Sequence, residues 1–133
     1  MGGLRALVAR SIIGAVKRGM KEEPPVAKKA IPNEVRKQVD EIVAKFNREV
    51  LGGRECCYVT RYRGRFLYLD RNDFGNTGPI CRLEYRGSID RWWFAIFKYS
   101  SETYSDDELF PGDQHVDGTV EGAMRAGLEA YPA

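Results

Sequence analysis

The densest group of chemically capable side chains in this sequence lies between Tyr58 and Trp92, where seven arginines alternate with aromatic residues. Guanidinium groups pair with phosphate or carboxylate through two hydrogen bonds and also stack on aromatic rings. Single-stranded nucleic acid is bound in this way, with bases stacked on rings and the backbone held by basic groups. The pattern therefore predicts a candidate nucleic-acid-binding set made of Arg61, Tyr62, Arg63, Arg65, Tyr68, Arg82 and Arg86.

The same arginines also have a purely structural interpretation. Residues 100–133 carry eight Asp and Glu against Arg125 alone, so the acidic end of the chain offers partners for the basic segment. Cross-strand pairs of arginine and glutamate stabilise a solvated sheet face without any ligand. The sequence leaves both interpretations open.

A second candidate group surrounds the single histidine of the chain. His115 is flanked by Asp113 and Asp117, and an imidazole beside carboxylates can act as a general base or titrate near neutral pH. These three residues form a candidate functional loop, and a small enzyme of unknown class using His115 is one hypothesis. The turn-rich surroundings favour the other interpretation, in which the loop is structural.

The loop before the last helix should be held by a cap and by packing. We expect either Asp117 or Thr119 to accept a hydrogen bond from a backbone N–H of the first helical turn. Phe110 and Val116 should anchor the rest of the loop, because an acidic, turn-rich stretch has little else to order it.

No common cofactor or metal motif is present in the sequence. It contains no phosphate-binding loop, Rossmann fingerprint, nucleophile elbow or zinc-protease motif. Cys56, Cys57 and Cys81 lack the paired spacing of zinc ligands, and the acids of residues 106–117 do not follow a calcium-loop pattern. We therefore predict no cofactor and no metal, and we favour a binding module over an enzyme.

Length and composition predict one folded domain. The chain has 133 residues, of which 43% are hydrophobic and 30% are charged, as in soluble globular proteins. No apolar run approaches the ~20 residues that span a bilayer. Three cysteines, two of them adjacent, are unlike the framework of a disulfide-rich secreted protein. We therefore expect a cytoplasmic protein without a transmembrane segment.

The first 31 residues differ in composition from the rest of the chain. Residues 3–19 combine apolar side chains near helical spacing with basic ones and no acid, which predicts a basic amphipathic N-terminal helix within residues 1–19. Such a helix packs on its own domain or a second copy, contacts a membrane surface, or serves as a targeting segment. Residues 20–31 are predicted to be a linker rich in proline and lysine, and a single α+β domain is expected over 32–133.

Hydrophobic periodicity predicts the element order α-β-β-β-β-α for that domain. Apolar stripes of helical period begin at Val35 and at Val120, and Asn33 is the expected N-cap of the first helix. Alternating residues joined by short turns predict four strands between the helices, with residues 72–79 as a loop. Short turns require antiparallel neighbours, so we expect a four-stranded antiparallel meander with both helices packed on one face.

Alternation within the third predicted strand, residues 80–86, assigns its side chains to two faces. Cys81, Leu83 and Tyr85 should share one face, and the charged side chains should share the other, namely Arg82, Glu84 and Arg86.

These features favour a non-enzymatic binding or self-association module. Aromatic residues on both faces of the predicted sheet would leave an apolar patch that monomers rarely expose, which favours a homodimer. Binding of single-stranded nucleic acid or RNA through the Arg/Tyr-rich sheet face is the first alternative. The second is the small enzyme using His115.

Overall fold

The computed structural model describes residues 30–52 and 55–133. The predicted N-terminal helix of residues 1–19 and linker residues 20–29 lie outside the described residues. No described helix has the length and apolarity needed to cross a membrane. The elements are, in chain order, α1 (Asn33–Glu49), β1 (Cys56–Arg63), β2 (Phe66–Asp73), β3 (Asn76–Ser88), β4 (Arg91–Lys98), β5 (Thr103–Ser105), a 3-10 turn (Asp113–His115) and α2 (Val120–Ala130).

All five strands form one antiparallel meander in the order β1-β2-β3-β4-β5. The predicted α+β class and the antiparallel meander are confirmed, but the prediction of four strands is wrong. The additional strand, β5, pairs with β4 and sets Tyr104 opposite Phe97. It has three residues in an acidic, turn-rich stretch, which is too short to show an alternating pattern.

The loop predicted over residues 72–79 is also wrong, because most of these residues belong to strands. β2 continues to Asp73 and β3 begins at Asn76. The two residues between them, Phe74 and Gly75, have φ values of 55° and 94°, which is the geometry of a tight hairpin turn. Asn72 Oδ1 accepts a hydrogen bond from the Gly75 N–H at 2.9 Å. The turn-forming residues therefore build a two-residue turn and the strand ends beside it.

The apolar stripe of α1 is confirmed, since Val39, Val43 and Phe46 are buried. The predicted cap is wrong. Pro32 occupies the N-cap position without a side-chain capping bond, and Asn33 is the first helical residue. Proline lacks an N–H and disfavours helical geometry in the residue before it, and Pro32 itself has an extended ψ of 151°, so the helix begins at the next residue without an asparagine side chain as cap.

Packing of the domain begins immediately before α1. Ile31 is buried in the core. Its backbone N–H donates to the carbonyl oxygen of Gly64, in the turn between β1 and β2, at 3.1 Å. This bond fixes the point at which the preceding chain reaches the domain.

Both helices pack on the same face of the sheet, and Tyr58 of β1 contacts each of them. Its hydroxyl donates to the carbonyl oxygen of Met124 in α2 at 2.8 Å. Its ring meets Phe46 of α1 edge to face, with 5.9 Å between ring centroids. A Cβ at position 127 would lie 2.6 Å from the Tyr58 hydroxyl, so Gly127 allows α2 to approach the sheet this closely.

A buried arginine joins this face to the end of α2. Arg71 of β2 is only 2% exposed. Its Nε donates to Asp73 at 2.9 Å, and its Nη2 donates to the carbonyl oxygen of Tyr131. The guanidinium lies 5.6 Å from the centroid of the Tyr58 ring. A buried cation needs such partners, because its desolvation is otherwise costly.

The free edge of β1 is closed by a side chain of α1. The Asn47 amide accepts a hydrogen bond from the Tyr58 N–H at 2.7 Å and donates one to the Tyr58 carbonyl oxygen at 2.9 Å. These are the two backbone groups that an added strand would use at this position. Asn47 therefore blocks β1 as a template for edge-to-edge association.

Replacing Asn47 with alanine should lower the free energy of unfolding by about 1–3 kcal/mol, because two partly buried backbone groups lose their partners. Urea unfolding followed by circular dichroism measures the change. Gln38→Ala, on an exposed position of the same helix, should change stability by less than about 0.5 kcal/mol. Equal stability of the two variants would contradict the assigned role of Asn47.

Candidate functional site

The sheet face opposite the helices collects the alternate residues of each strand. The strand register sets Arg61 opposite Tyr68 and Tyr68 opposite Arg82, which makes one row across the sheet. A neighbouring row sets Glu84 opposite Trp93. We call this surface the outer face. Its side chains include those of Arg61, Arg63, Phe66, Tyr68, Asp70, Arg82, Glu84, Arg86, Trp93, Phe97 and Tyr104, and that of the turn residue Arg65, which pairs with Glu84.

Arginines and rings of the outer face lie against each other. The Arg61 guanidinium is 4.4 Å from the centroid of the Tyr68 ring. Arg82 lies 4.8 Å from the ring of Phe66 and 5.1 Å from that of Tyr104. Tyr68 and Tyr104 also meet edge to face at 5.5 Å. Cation–π and ring contacts therefore join these side chains into one continuous layer.

Trp93 is the most accessible ring of that layer. It is 58% exposed, whereas Arg86 beneath it is 8% exposed. The Arg86 guanidinium lies 3.5 Å from the Trp93 ring centroid. The indole is thus supported on one side by a cation and has much of its surface open to solvent.

Two carboxylates of the outer face hold three of its arginines. Asp70 accepts from Arg61 Nε at 3.1 Å, and Glu84 accepts from Arg65 Nε at 2.8 Å and from Arg86 at 3.3 Å. Arg61–Asp70 is a cross-strand pair, whereas Glu84 pairs with Arg86 of its own strand and with the turn residue Arg65. In these three pairs the acids come from the sheet and not from residues 100–133, where the structural interpretation expected them. Five arginines against two carboxylates leave the described residues of this face with a surplus of three positive charges.

Tyr62 does not join the other six predicted binding residues. It lies on the helix-covered face, where its hydroxyl donates to Asp40 of α1 at 2.7 Å. Burial raises its pKa, and the carboxylate acts in the same direction. Side chains alternate along β1, so Tyr62 shares the face of Tyr58 while Arg61 and Arg63 lie on the other.

The outer face also contains aromatic residues that were not in the predicted binding set, chiefly Phe66, Trp93 and Tyr104. Trp93 lies in a nearly continuous apolar run from Trp92 to Tyr99, where alternation cannot be seen. Trp92 is buried and Trp93 is exposed, so two adjacent tryptophans lie on opposite faces. Strand geometry could have identified Trp93 from the sequence, because adjacent residues of a strand point to opposite faces and one of two adjacent tryptophans must therefore face outward.

The three residues of the predicted functional loop have separate partners. His115 Nε2 lies 2.9 Å from Glu129 Oε1 of α2, and both side chains are partly exposed. Asp117 Oδ1 accepts from the Thr119 N–H at 3.0 Å and from its hydroxyl at 2.6 Å. Asp113 opens the 3-10 turn. This geometry supports the structural interpretation of the loop.

The predicted cap and part of the predicted anchoring are confirmed. Thr119 is the N-cap of α2, and its hydroxyl oxygen accepts from the Gly122 N–H at 3.0 Å. Phe110 is partly buried and stacks on Phe94 with 5.7 Å between ring centroids. Asp117 does not cap α2 itself; it accepts a hydrogen bond from the Thr119 hydroxyl and so orients the capping group.

Cysteine chemistry receives no support from the geometry. Cys81 is completely buried, and burial raises the pKa of its thiol. A reactive cysteine needs exposure to solvent and a thiol that ionises readily, and Cys81 has neither. Within residues 30–52 and 55–133, no group of three or more His, Cys, Asp and Glu residues could hold a metal ion.

Comparisons with known families, curated proteins and solved structures find no match for this chain. The geometry of its own residues is therefore the basis for any functional inference. On the outer face, basic and aromatic side chains lie in contact with each other, and six of the seven predicted binding residues belong to it.

Asp117→Asn should lower the free energy of unfolding at neutral pH and lower it less in acid. Hydrogen bonds from Thr119 hold the pKa of Asp117 below its usual value, so its ionised form is favoured in the folded protein. That contribution is present above the unfolded pKa of about 3.9 and is lost as the pH falls through the lower folded pKa.

Urea unfolding of both proteins at pH 7 and near pH 3 measures this effect, and the difference between them should shrink in acid. Ser101→Ala removes an exposed hydroxyl that bonds to the Thr103 hydroxyl, so it touches no ionisable group and should change the free energy of unfolding equally at both pH values. If the free energy of unfolding differs between wild type and Asp117→Asn by the same amount at both pH values, Asp117 contributes no pH-dependent stability.

Proposed function

We propose that this protein is a non-enzymatic binding module whose outer face binds single-stranded nucleic acid. The observation that carries the proposal is a layer of basic and aromatic groups in contact, in which Arg61 lies on Tyr68 and Arg82 lies on Tyr104. The two rings meet each other edge to face. This layer lies on the face directed away from both helices. It supplies both kinds of contact that an unpaired strand needs.

Phosphate groups would be held by the arginines. The surplus of three positive charges on the outer face attracts a polyanion, and guanidinium groups pair with phosphate oxygens through two hydrogen bonds. The Arg61 side chain is 52% exposed, so it can reach a ligand while stacked on Tyr68. Ring contacts hold the arginines close to the sheet, which lowers the entropy lost when they bind.

Bases would be bound by the rings, with Trp93 as the main stacking surface. Its exposed indole is supported from below by Arg86, so it can accept a base without rearrangement. Stacking of this kind tolerates every base, because each has an aromatic face. We therefore propose binding with little sequence preference.

Self-association through the outer face is the competing function, and its charge argues against it. Two copies joined face to face would bring their positive surpluses together and would pay a cost in repulsion. An anionic partner is instead attracted by the same charges. The ion pairs of Arg61 and Arg65 are formed with Asp70 and Glu84 rather than with the acidic groups of residues 100–133.

Fluorescence anisotropy with a labelled oligonucleotide of about 15 nucleotides tests the proposal in the full chain. Binding should weaken steeply as salt is raised from about 50 to 200 mM. Trp93→Ala should weaken binding by about 1–3 kcal/mol with little change in salt dependence. Arg82→Ala should weaken it for all sequences and reduce the salt slope by about 0.7.

Arg125→Ala is the matched control, because it removes an arginine from α2 on the other side of the sheet. It should bind like the wild type. Equal losses for Arg125→Ala and Arg82→Ala would locate the binding elsewhere on the chain. No binding at low salt, together with a dimer in light scattering, would replace the proposal with self-association.

A further inference from the structure

A groove runs along the seam between α1 and α2, on the opposite side of the sheet from the outer face. One part has a volume of about 640 Å³ and extends from Ile42 to the loop that carries His115. A second part, of about 220 Å³, extends along α1 to Val50. Both parts are lined by Ile42, Glu121 and Arg125, so they adjoin each other along the seam, and we refer to the two together as the groove.

The groove has an apolar floor and an acidic rim. Its apolar residues are Ile42, Phe46, Val50, Ile89 and Val120. Its charged residues are the acids Glu49, Asp90, Asp117 and Glu121 and the bases Lys45 and Arg125, beside His115. Arg125 already pairs with Glu121 at 3.0 Å. An apolar floor with excess acid fits a segment that is apolar on one side and basic on the other.

Residues 3–19 of this chain have that character. Leu4, Val8, Ile12 and Val16 recur every four residues, which places them on one side of a helix. The charged residues of the segment are all basic, and three of them lie outside this stripe, namely Arg10, Lys17 and Arg18, whereas Arg5 lies beside Ile12 and Val16. We propose that residues 3–19 dock as an amphipathic helix in the groove of their own chain.

The connection between segment and groove is long enough. The chain is fixed to the domain at Ile31 by the bond to Gly64, and Ile42 lies roughly 17 Å further along α1 at 1.5 Å per residue. Residues 20–29 can span about 33–36 Å when extended. The segment can therefore return along α1 to the groove without crossing to the outer face, and the docking is independent of nucleic-acid binding.

Zero-length carbodiimide cross-linking of the full chain tests the contact, since it joins a lysine amine to a neighbouring carboxylate. Lys17 should be linked to Asp90, Glu49 or Glu121. A mixture of isotopically labelled and unlabelled chains shows whether each cross-link joins residues of one chain or of two chains. Links within one chain support the proposal, whereas links only between labelled and unlabelled chains would show that a second copy fills the groove.

Hydrogen exchange of residues 3–19 in the full chain gives a second readout. Val8→Asp should speed exchange about tenfold or more, because a charge replaces a buried apolar side chain. Ala6→Asp makes the same charge change on the opposite side of the predicted helix and should stay within about twofold of wild type. Glu121→Lys on the rim should also speed exchange, and Glu102→Lys, outside the groove, should not.

Exchange of residues 3–19 at the rate of an unstructured peptide in the wild-type chain would overturn the proposal. So would equal acceleration by Val8→Asp and Ala6→Asp, because docking requires one side of the segment to face the groove. Neither result bears on the outer face, which is tested by variants of Trp93 and Arg82.

Discussion

The fold depends on the way Tyr58 is held between three elements. The side chain of Asn47 in α1 hydrogen-bonds to the Tyr58 backbone, and the carbonyl oxygen of Met124 in α2 accepts a hydrogen bond from the Tyr58 hydroxyl. The Arg71 guanidinium of β2 lies near the Tyr58 ring. Burial raises the pKa of Tyr58, so the hydroxyl stays protonated and remains a donor. Since side chains alternate along a strand, the inward position of Tyr58 also directs Arg61 outward. The same residue thus fixes the helices and the composition of the outer face.

Sequence periodicity was sufficient where an element is long and has one buried side. It identified both helices and the alternation that separates Cys81 from Arg82. It failed where three residues decide the structure, as in β5, and where residues typical of turns extend strands rather than interrupt them, as at Asn72 and Asn76. Both cases depend on pairing with the adjacent strand of a hairpin, which the residue pattern of the segment alone does not record.

The candidate site was predictable in composition and unpredictable in arrangement. The arginines are evident in the sequence, but only the register shows that Arg82 contacts rings from two other strands. Tyr62 was predicted to bind but lies on the helix-covered face, whereas Trp93 was not in the predicted set and lies on the outer face. A single step along a strand changes the face on which a side chain lies. The partner of His115, Glu129, is fourteen residues away, so neighbouring acids in the sequence were misleading.

A net charge of +2 conceals two surfaces of opposite sign. The outer face has an excess of arginine, and the groove between α1 and α2 has an excess of acid. Screening at physiological salt limits the reach of surface charges to about 8 Å, and a layer of sheet and helix separates the two surfaces. A polyanion near the outer face is therefore little affected by the acidic rim, and a basic segment in the groove is little repelled by the arginines. Segregation of charge across the two layers gives this small domain a basic side and an acidic side, which is the arrangement that the two proposals require.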